Sequence, residues 1–360
     1  MVVNDNRATC GEDVLVDGDP VRRCGGRKVE RMQSERSPRP PRVVALAGGI
    51  GAARFLRGLV RVVPGAALTV VANTGDDLHL HGLHISPDLD TITYTLGGGV
   101  SQAQGWGRED ERFTVASELA DRYEEPAWFT LGDRDLATHL LRSGMLAGGA
   151  TLSQVTDRIA RAWALPFRLL PMSDDPVATK VATTDGRVLH FQEWWVGERA
   201  KPDVERVWLD GAAGAAPAPG VIAAIAQADI VVLCPSNPIV SIGTILAVPG
   251  IRDALADALV VGVSPIVGGR VVRGMADRLL PAAGAEVSAA GVAGLYRDFL
   301  DGWVIDTVDA AAAPAIRHLG PQVVVTDTMM RTVDIATTVA RGAVDLGLAL
   351  RDDAAGRREP

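Results

Sequence analysis

Six short apolar runs constrain the fold of this chain more than any other feature. They are Val43–Ala47, Leu68–Ala72, Ala228–Cys234, Leu259–Val263, Gly302–Ile305 and Gln322–Thr326. A short β-branched run without polar alternation reads as a strand buried on both faces of a parallel sheet. Several of them run straight into loops of Gly, Asn, Asp, Ser or Pro: Gly48-Gly49-Ile50-Gly51, Asn73-Thr74-Gly75-Asp76-Asp77, Pro235-Ser236-Asn237-Pro238 and Ser264-Pro265-Ile266-Val267-Gly268. In an open α/β sheet the carboxyl ends of the strands form the rim of the ligand crevice. The first turn leads into an apolar-periodic segment, Phe55 to Val63. Strand, Gly-rich turn and helix in that order aim backbone N–H groups at a phosphate. The spacing is Gly-Gly-x-Gly with no Walker lysine, so a close-packed βα turn explains it equally well. The expected fold is α/β: a Rossmann-like, mostly parallel sheet with helices on both faces and a smaller inserted α+β subdomain.

The chain divides along composition. Residues 1–41 mix Arg, Asp, Gly and Pro without an apolar core and read as a disordered extension. Residues 42–166 carry the first part of the Rossmann-like domain with a helical insertion. Residues 167–219 read as a small β-rich subdomain: strands at Arg168–Leu170, Lys180–Thr184 and Val188–Gln192, with Asp185-Gly186 as a type I′ turn. Its aromatic stretch Phe191-Gln192-Glu193-Trp194-Trp195-Val196 reads as strand, with the two tryptophans on opposite faces. Residues 220–350 complete the sheet, and 351–360 form a polar, frayed tail. Helices are expected over Asp90–Leu96, Asp110–Tyr123, Leu136–Met145, Thr151–Ala162, Ala310–His318 and Val333–Ala343, the fourth opened by the capping box Thr151-Leu152-Ser153-Gln154.

Four acidic loops stand out: Gly75-Asp76-Asp77, Ser86-Pro87-Asp88-Leu89-Asp90-Thr91, Gly132-Asp133-Arg134-Asp135 and Ser173-Asp174-Asp175-Pro176. Together they suggest a carboxylate-lined cleft suited to a hard divalent cation and so to phosphate chemistry. Helix capping would also account for Asp88 and Asp90. His79, His81 and His84 fit no common zinc spacing and read as loop histidines. His139 and Arg142 share a helix face. The net charge of −8 argues against a general nucleic-acid binder. Cys10, Cys24 and Cys234 sit at no metal-ligand spacing and fit a reducing, cytoplasmic setting. No apolar run is long enough to span a membrane.

Taken in order, the loops resemble the 2-phospho-L-lactate transferase family of coenzyme F420 biosynthesis, most closely its actinobacterial, phosphoenolpyruvate-transferring type. The matching stretches are Ala47–Leu56, Asn73–Asp77, Ser86–Thr91, Leu131–His139, Pro171–Val177, His190–Val196, Pro235–Pro238 and Ser264–Gly268. The resemblance implies a Mg²⁺-dependent transferase acting on the deazaflavin Fo and a diphosphoguanosine donor of phosphoenolpyruvate or 2-phospho-L-lactate. It implies release of GMP, and a homodimer. It points to Asp90 and Asp88 as catalytic, and to Asp90, Arg134, Asp133, His139 and Trp194 at the substrate. Gly48, Gly49, Gly51, Asn73, Ser236 and Asn237 would hold the nucleotide phosphates, and Asp77, Asp88, Asp174 and Asp175 the metal. Arg54 stands where many archaeal relatives carry Lys. The competing reading is a nucleotide- or nucleotide-sugar-binding regulatory protein of the same fold.

Overall fold

The computed structural model describes residues 39–101 and 104–356. The extension expected over 1–41 lies outside the described residues as far as residue 38. Seven parallel strands form the main sheet: β1 (Val43–Ala47), β2 (Leu68–Ala72), β3 (Arg168–Pro171), β4 (Ile230–Leu233), β5 (Val260–Val263), β6 (Gly302–Asp306) and β7 (Gln322–Thr326). Their order across the sheet is β7-β6-β5-β4-β1-β2-β3. The chain therefore builds outward from β1 to one side, then returns to lay β4 against the other side of β1. That reversal between β1 and β4 is the switch point at which open α/β sheets leave a crevice.

Alternation along each strand feeds two cores. Val43, Ala45 and Ala47 face one layer, with Val70, Val232 and Val304. That layer contains α1 (Gly49–Val62), α2 (Pro87–Leu96), α4 (Leu152–Ala162) and α5 (Val333–Gly356), while α3 (Asp133–Ala147) lies against the peripheral hairpin described below. Val44 and Leu46 face the other layer with Val231, Leu233 and Trp303, against shorter helices that include Val221–Gln227 and Ile251–Ala256. Helices cover both faces, as a parallel sheet requires. The capping box forms: the Gln154 amide donates to Thr151 Oγ1, and the Thr151 amide to Gln154 Oε1 at 3.0 Å. His79 and His84 lie on a short hairpin, Leu78–Leu80 with Leu83–Ile85, and His81 on its turn.

Several expected elements differ in instructive ways. Arg168–Pro171 pairs with β2 as an edge of the main sheet, so the change to the small subdomain falls after Pro171. The loop at Asp185-Gly186 is longer than a two-residue hairpin. Only Gly186 has positive φ (+85°), and the pairing closes from Ala182 to Val188. A type I′ turn needs both central residues left-handed. The tryptophans lie on a wide helical turn, Glu193–Gly197, not on a strand. The helix expected from Asp110 begins at Thr114, because its cap comes from far along the chain: Asp133 accepts from the Thr114 and Val115 amides at 3.2 and 3.1 Å. α5 runs to Gly356, so the segment from Arg351 continues the helix.

Candidate functional site

An open cleft of about 1110 Å³, measured out to solvent, lies at the carboxyl ends of the central strands. The Gly48–Gly51 turn after β1 forms its floor, with Ser236 and Asn237 after β4, Ser264 after β5 and Thr328 after β7. Gly49 has φ +70°, a left-handed conformation that favours glycine. Gly48 admits no side chain, since a Cβ there would lie 2.7 Å from both Asp88 Oδ2 and Ser241 Cβ. The start of α1 has no side-chain cap. The Gly49 amide meets the Asp88 carboxylate, so the amides left for an anion are those that follow it, where the helix dipole favours one. The Gly48 amide is already held by Ser236 Oγ at 3.2 Å, which ties the β1 turn to the β4 loop.

Two carboxylates enter this cleft, Asp76 and Asp88. Both are buried. Burial raises Asp88 to about 7, against the Asn73 hydrogen bond that lowers it. Burial, reinforced by the Asp88 charge, raises Asp76 well above the ordinary carboxylate range. Asn73 organises the pair: its amide nitrogen donates to Asp88 Oδ2 at 2.9 Å and to the Val240 carbonyl at 3.1 Å, while its oxygen accepts from the Gly75 amide. Asn73 thus fixes the carboxylate and does not itself line the cleft. Across from the pair, Arg54, Arg273 and Arg331 supply positive charge, and Phe191, Trp195 and Met275 an apolar wall.

The other expected residues are engaged elsewhere. Asp90 is buried and makes a bidentate pair with Arg142, which approaches Asp90 Oδ2 at 3.0 Å through Nη1 and Asp90 Oδ1 through Nη2. His139, also buried, stands 3.7 Å from Asp90 and 3.4 Å from Asp135. Asp77 does not line the cleft: its Oδ2 accepts from Ser86 Oγ at 2.7 Å and meets His84 Nε2 at 2.9 Å, while its Oδ1 is buried without a partner. Asp133 caps the Thr114–Tyr123 helix, and those backbone bonds hold its carboxyl below the usual range. Arg134 is exposed, donating to the Glu109 carbonyl. Asp174 caps α4 through the Ser153 amide at 2.6 Å, and Asp175 accepts from the Ala216 amide at 2.8 Å. Trp194 is fully buried with its indole on the Pro202 carbonyl at 2.9 Å, and Trp195 is the one that faces the cleft. Asn237 lines the cleft, but its side chain caps its own turn through the Ile239 and Val240 amides. The structure thus brings together Gly48, Gly49, Gly51, Asp88, Ser236 and Asn237. To these it adds Asp76 and Trp195, neighbours of the residues the sequence assigned to the site, and Arg273 and Arg331, which the sequence did not single out.

A family model described as 2-phospho-L-lactate transferase CofD matches residues 43–341. The chain belongs to this family. It is accordingly a transferase of coenzyme F420 biosynthesis, as its motifs implied, and the regulatory alternative is not favoured. Relatives named phosphoenolpyruvate transferase are 54% identical over 316 residues in Streptomyces griseus (86% of this chain, 99% of the relative) and 53% identical over 317 residues in Streptomyces coelicolor (86% and 99%). One from Mycolicibacterium smegmatis is 42% identical over 326 residues (85% and 98%). Among solved structures, a UPF0052 family protein from Bacillus halodurans superposes with a TM-score of 0.56 at 17% identity, covering 86% of this chain and 100% of that one. At that identity it supports the fold only. Among the described residues no helix is long and apolar enough to cross a membrane.

Proposed function

We propose that the protein transfers a phosphoenolpyruvyl group, or a 2-phospho-L-lactyl group, from a diphosphoguanosine donor to the terminal ribityl hydroxyl of Fo. The hydroxyl oxygen forms a bond to the acid-bearing phosphorus, the bond from that phosphorus to the GMP oxygen breaks, and GMP leaves. The product is dehydro-F420-0, or F420-0 from the lactyl donor. One observation carries the reading: two buried carboxylates lie at a Gly-rich helix N-terminus at the sheet's switch point. The α1 amides cradle the diphosphate, with Ser236 bracing the turn. Asp88 orients the attacking hydroxyl and takes its proton; its carboxyl stands near 7 in the metal-free site. Asp90, spent on Arg142, instead fixes the helix turn that presents Asp88.

The residues present fit Mg²⁺. Two carboxylates raised by burial, Asp76 also by the Asp88 charge and Asp88 by the Asp77 charge, are the oxygen donors that a hard cation neutralises. Asp76 and Asp88 would hold the ion, which when bound offsets charge on the phosphate oxygens. Asp77, whose Oδ1 is buried without a partner, is a further candidate donor, whereas Asp174 and Asp175 are occupied by the bonds described above.

The homodimer implied by the family resemblance belongs to the same proposal. Exposed apolar side chains on neighbouring helices (Phe113 and Val115 with Leu140 and Leu141) support it, and sedimentation in solution tests it. The reaction is tested by mixing the protein with Fo, Mg²⁺ and each donor in turn and weighing the products. An enolpyruvyl product is expected from the identity to phosphoenolpyruvate transferases. A lactyl product alone would revise the donor, and no product from folded protein would refute the transfer.

A further inference from the structure

A second pocket opens beside the cleft and shares Ile50, Arg54, Met330 and Arg331 with it. Its own lining adds Arg57, Thr95 and Ser101, and no carboxylate. Arg54 and Arg57 lie three apart on α1 and so project from one face. Among the described residues neither has an ion-pair or hydrogen-bond partner, and both differ in this from most arginines of the fold. Arg331 meets only Asp327, at 3.7 Å and exposed to solvent. Arg273 adds to the same positive field: burial and the Arg54 charge push its pKa down. Arg54 and Arg57, left together without counter-charge in a chain of net charge −8, are an arrangement that an anionic ligand completes.

We propose that this pocket receives the carboxylate of the acid carried by the donor. The inference rests on the reaction proposed above. There the diphosphate takes the α1 amides, and the acid's carboxylate is the remaining anion on the donor. Arg54 and Arg331 border both cavities, so a group attached to the terminal phosphorus passes from one to the other between them. Arg57, outside the first cleft, closes on the carboxylate alone, with the Thr95 and Ser101 hydroxyls as further donors. The pocket makes the enzyme select an acid-bearing donor over GDP itself.

Calorimetric titration of the full chain with GDP and with phosphoenolpyruvate separates this subsite from the nucleotide site. For Arg57→Gln, the Kd for phosphoenolpyruvate and the KM for the donor are expected to rise about tenfold, the worth of one charge-assisted hydrogen bond. The Kd for GDP and the KM for Fo should stay at their wild-type values. Weakening of GDP by the same factor would place Arg57 on the diphosphate, and a raised KM for Fo would give the pocket to the acceptor. Either result overturns the proposal, as would wild-type protein that binds no phosphoenolpyruvate. The titration does not depend on turnover, so failure of the transfer assay and failure of this subsite remain distinguishable.

Discussion

Asp88 and Asp90 show how much one helical turn decides. They stand two residues apart in the first turn of α2. Positions i and i+2 on a helix are about 200° apart around the axis, so both cannot face one cleft. Asp88 meets the Gly-rich turn and Asp90 meets Arg142. Replacing Asp88 by Asn keeps the shape but removes the proton acceptor, and turnover is expected to fall by roughly 10²–10⁴-fold. The fold should not suffer, since the native carboxylate is held in a site that disfavours its charge. Activity near wild type would remove Asp88 from the reaction. The same scale shows what was legible in the sequence. That acidic loops gather near strand ends could be read from composition. Which carboxylate of each pair turns inward could not, because it depends on partners elsewhere. Asp77 is claimed by His84 and Ser86 across a hairpin, leaving Asp76 to the cleft. The Gly-Asp-Arg-Asp loop looked like a ligand site, yet Asp133 caps a helix that precedes it.

Between elements, two contacts set the frame. Arg142 of α3 grips Asp90 of α2, both nearly sealed from water. A buried pair is costly to break on one side only, because the remaining charge has no partner. Arg142→Met is therefore expected to lower the unfolding free energy by about 3–5 kcal/mol, and Asp90→Asn in the same chain to restore part of it. Urea denaturation of the two variants reads this directly, and a loss below the resolution of the method would show the pair to be dispensable. The second contact is the crossing of α1 on α5. A Cβ on Gly58 would overlap the Ala336 backbone, which cannot swing aside as a side chain would. Gly58→Ala should then destabilise by about 1–3 kcal/mol, although alanine in an open helix would gain up to about 1 kcal/mol over glycine. A stability equal to or above wild type would mean that α5 yields at that crossing. The strands themselves were readable because buried parallel strands need unbroken apolar runs. The turn at Trp194-Trp195 was not. Aromatic residues favour strands locally, and only packing of Trp194 against Phe191 and Val181 in the subdomain core selects the helical turn.

At the scale of the molecule, the switch point explains why the cleft lies where it does, and the charge within it makes stability answer to pH. The family match begins at residue 43, and the relatives are covered almost end to end by the part of the chain that aligns. Removing residues 1–38 is thus expected to leave turnover unchanged, and a large loss of activity or solubility would assign that segment a role in the folded protein. The acidic pair gives the sharper expectation. An unfolded Asp titrates near 3.8, and folded Asp88 near 7. Between those values the folded protein binds more protons than the unfolded chain, so this contribution to stability is complete below about pH 4 and is lost as pH rises through 7. His79 and His190, whose pKa values burial lowers, act in the opposite direction, so the comparison must be with Asp88→Asn, in which they are unchanged. Without metal, the melting temperature of wild type relative to that variant should fall from pH 5 to pH 8. Mg²⁺, bound by the folded state alone, then raises the wild-type melting temperature more at pH 8, where protons no longer compete for the carboxylates. An equal rise at both pH values, or the same rise in Asp88→Asn, would show that the ion is held somewhere other than Asp76 and Asp88.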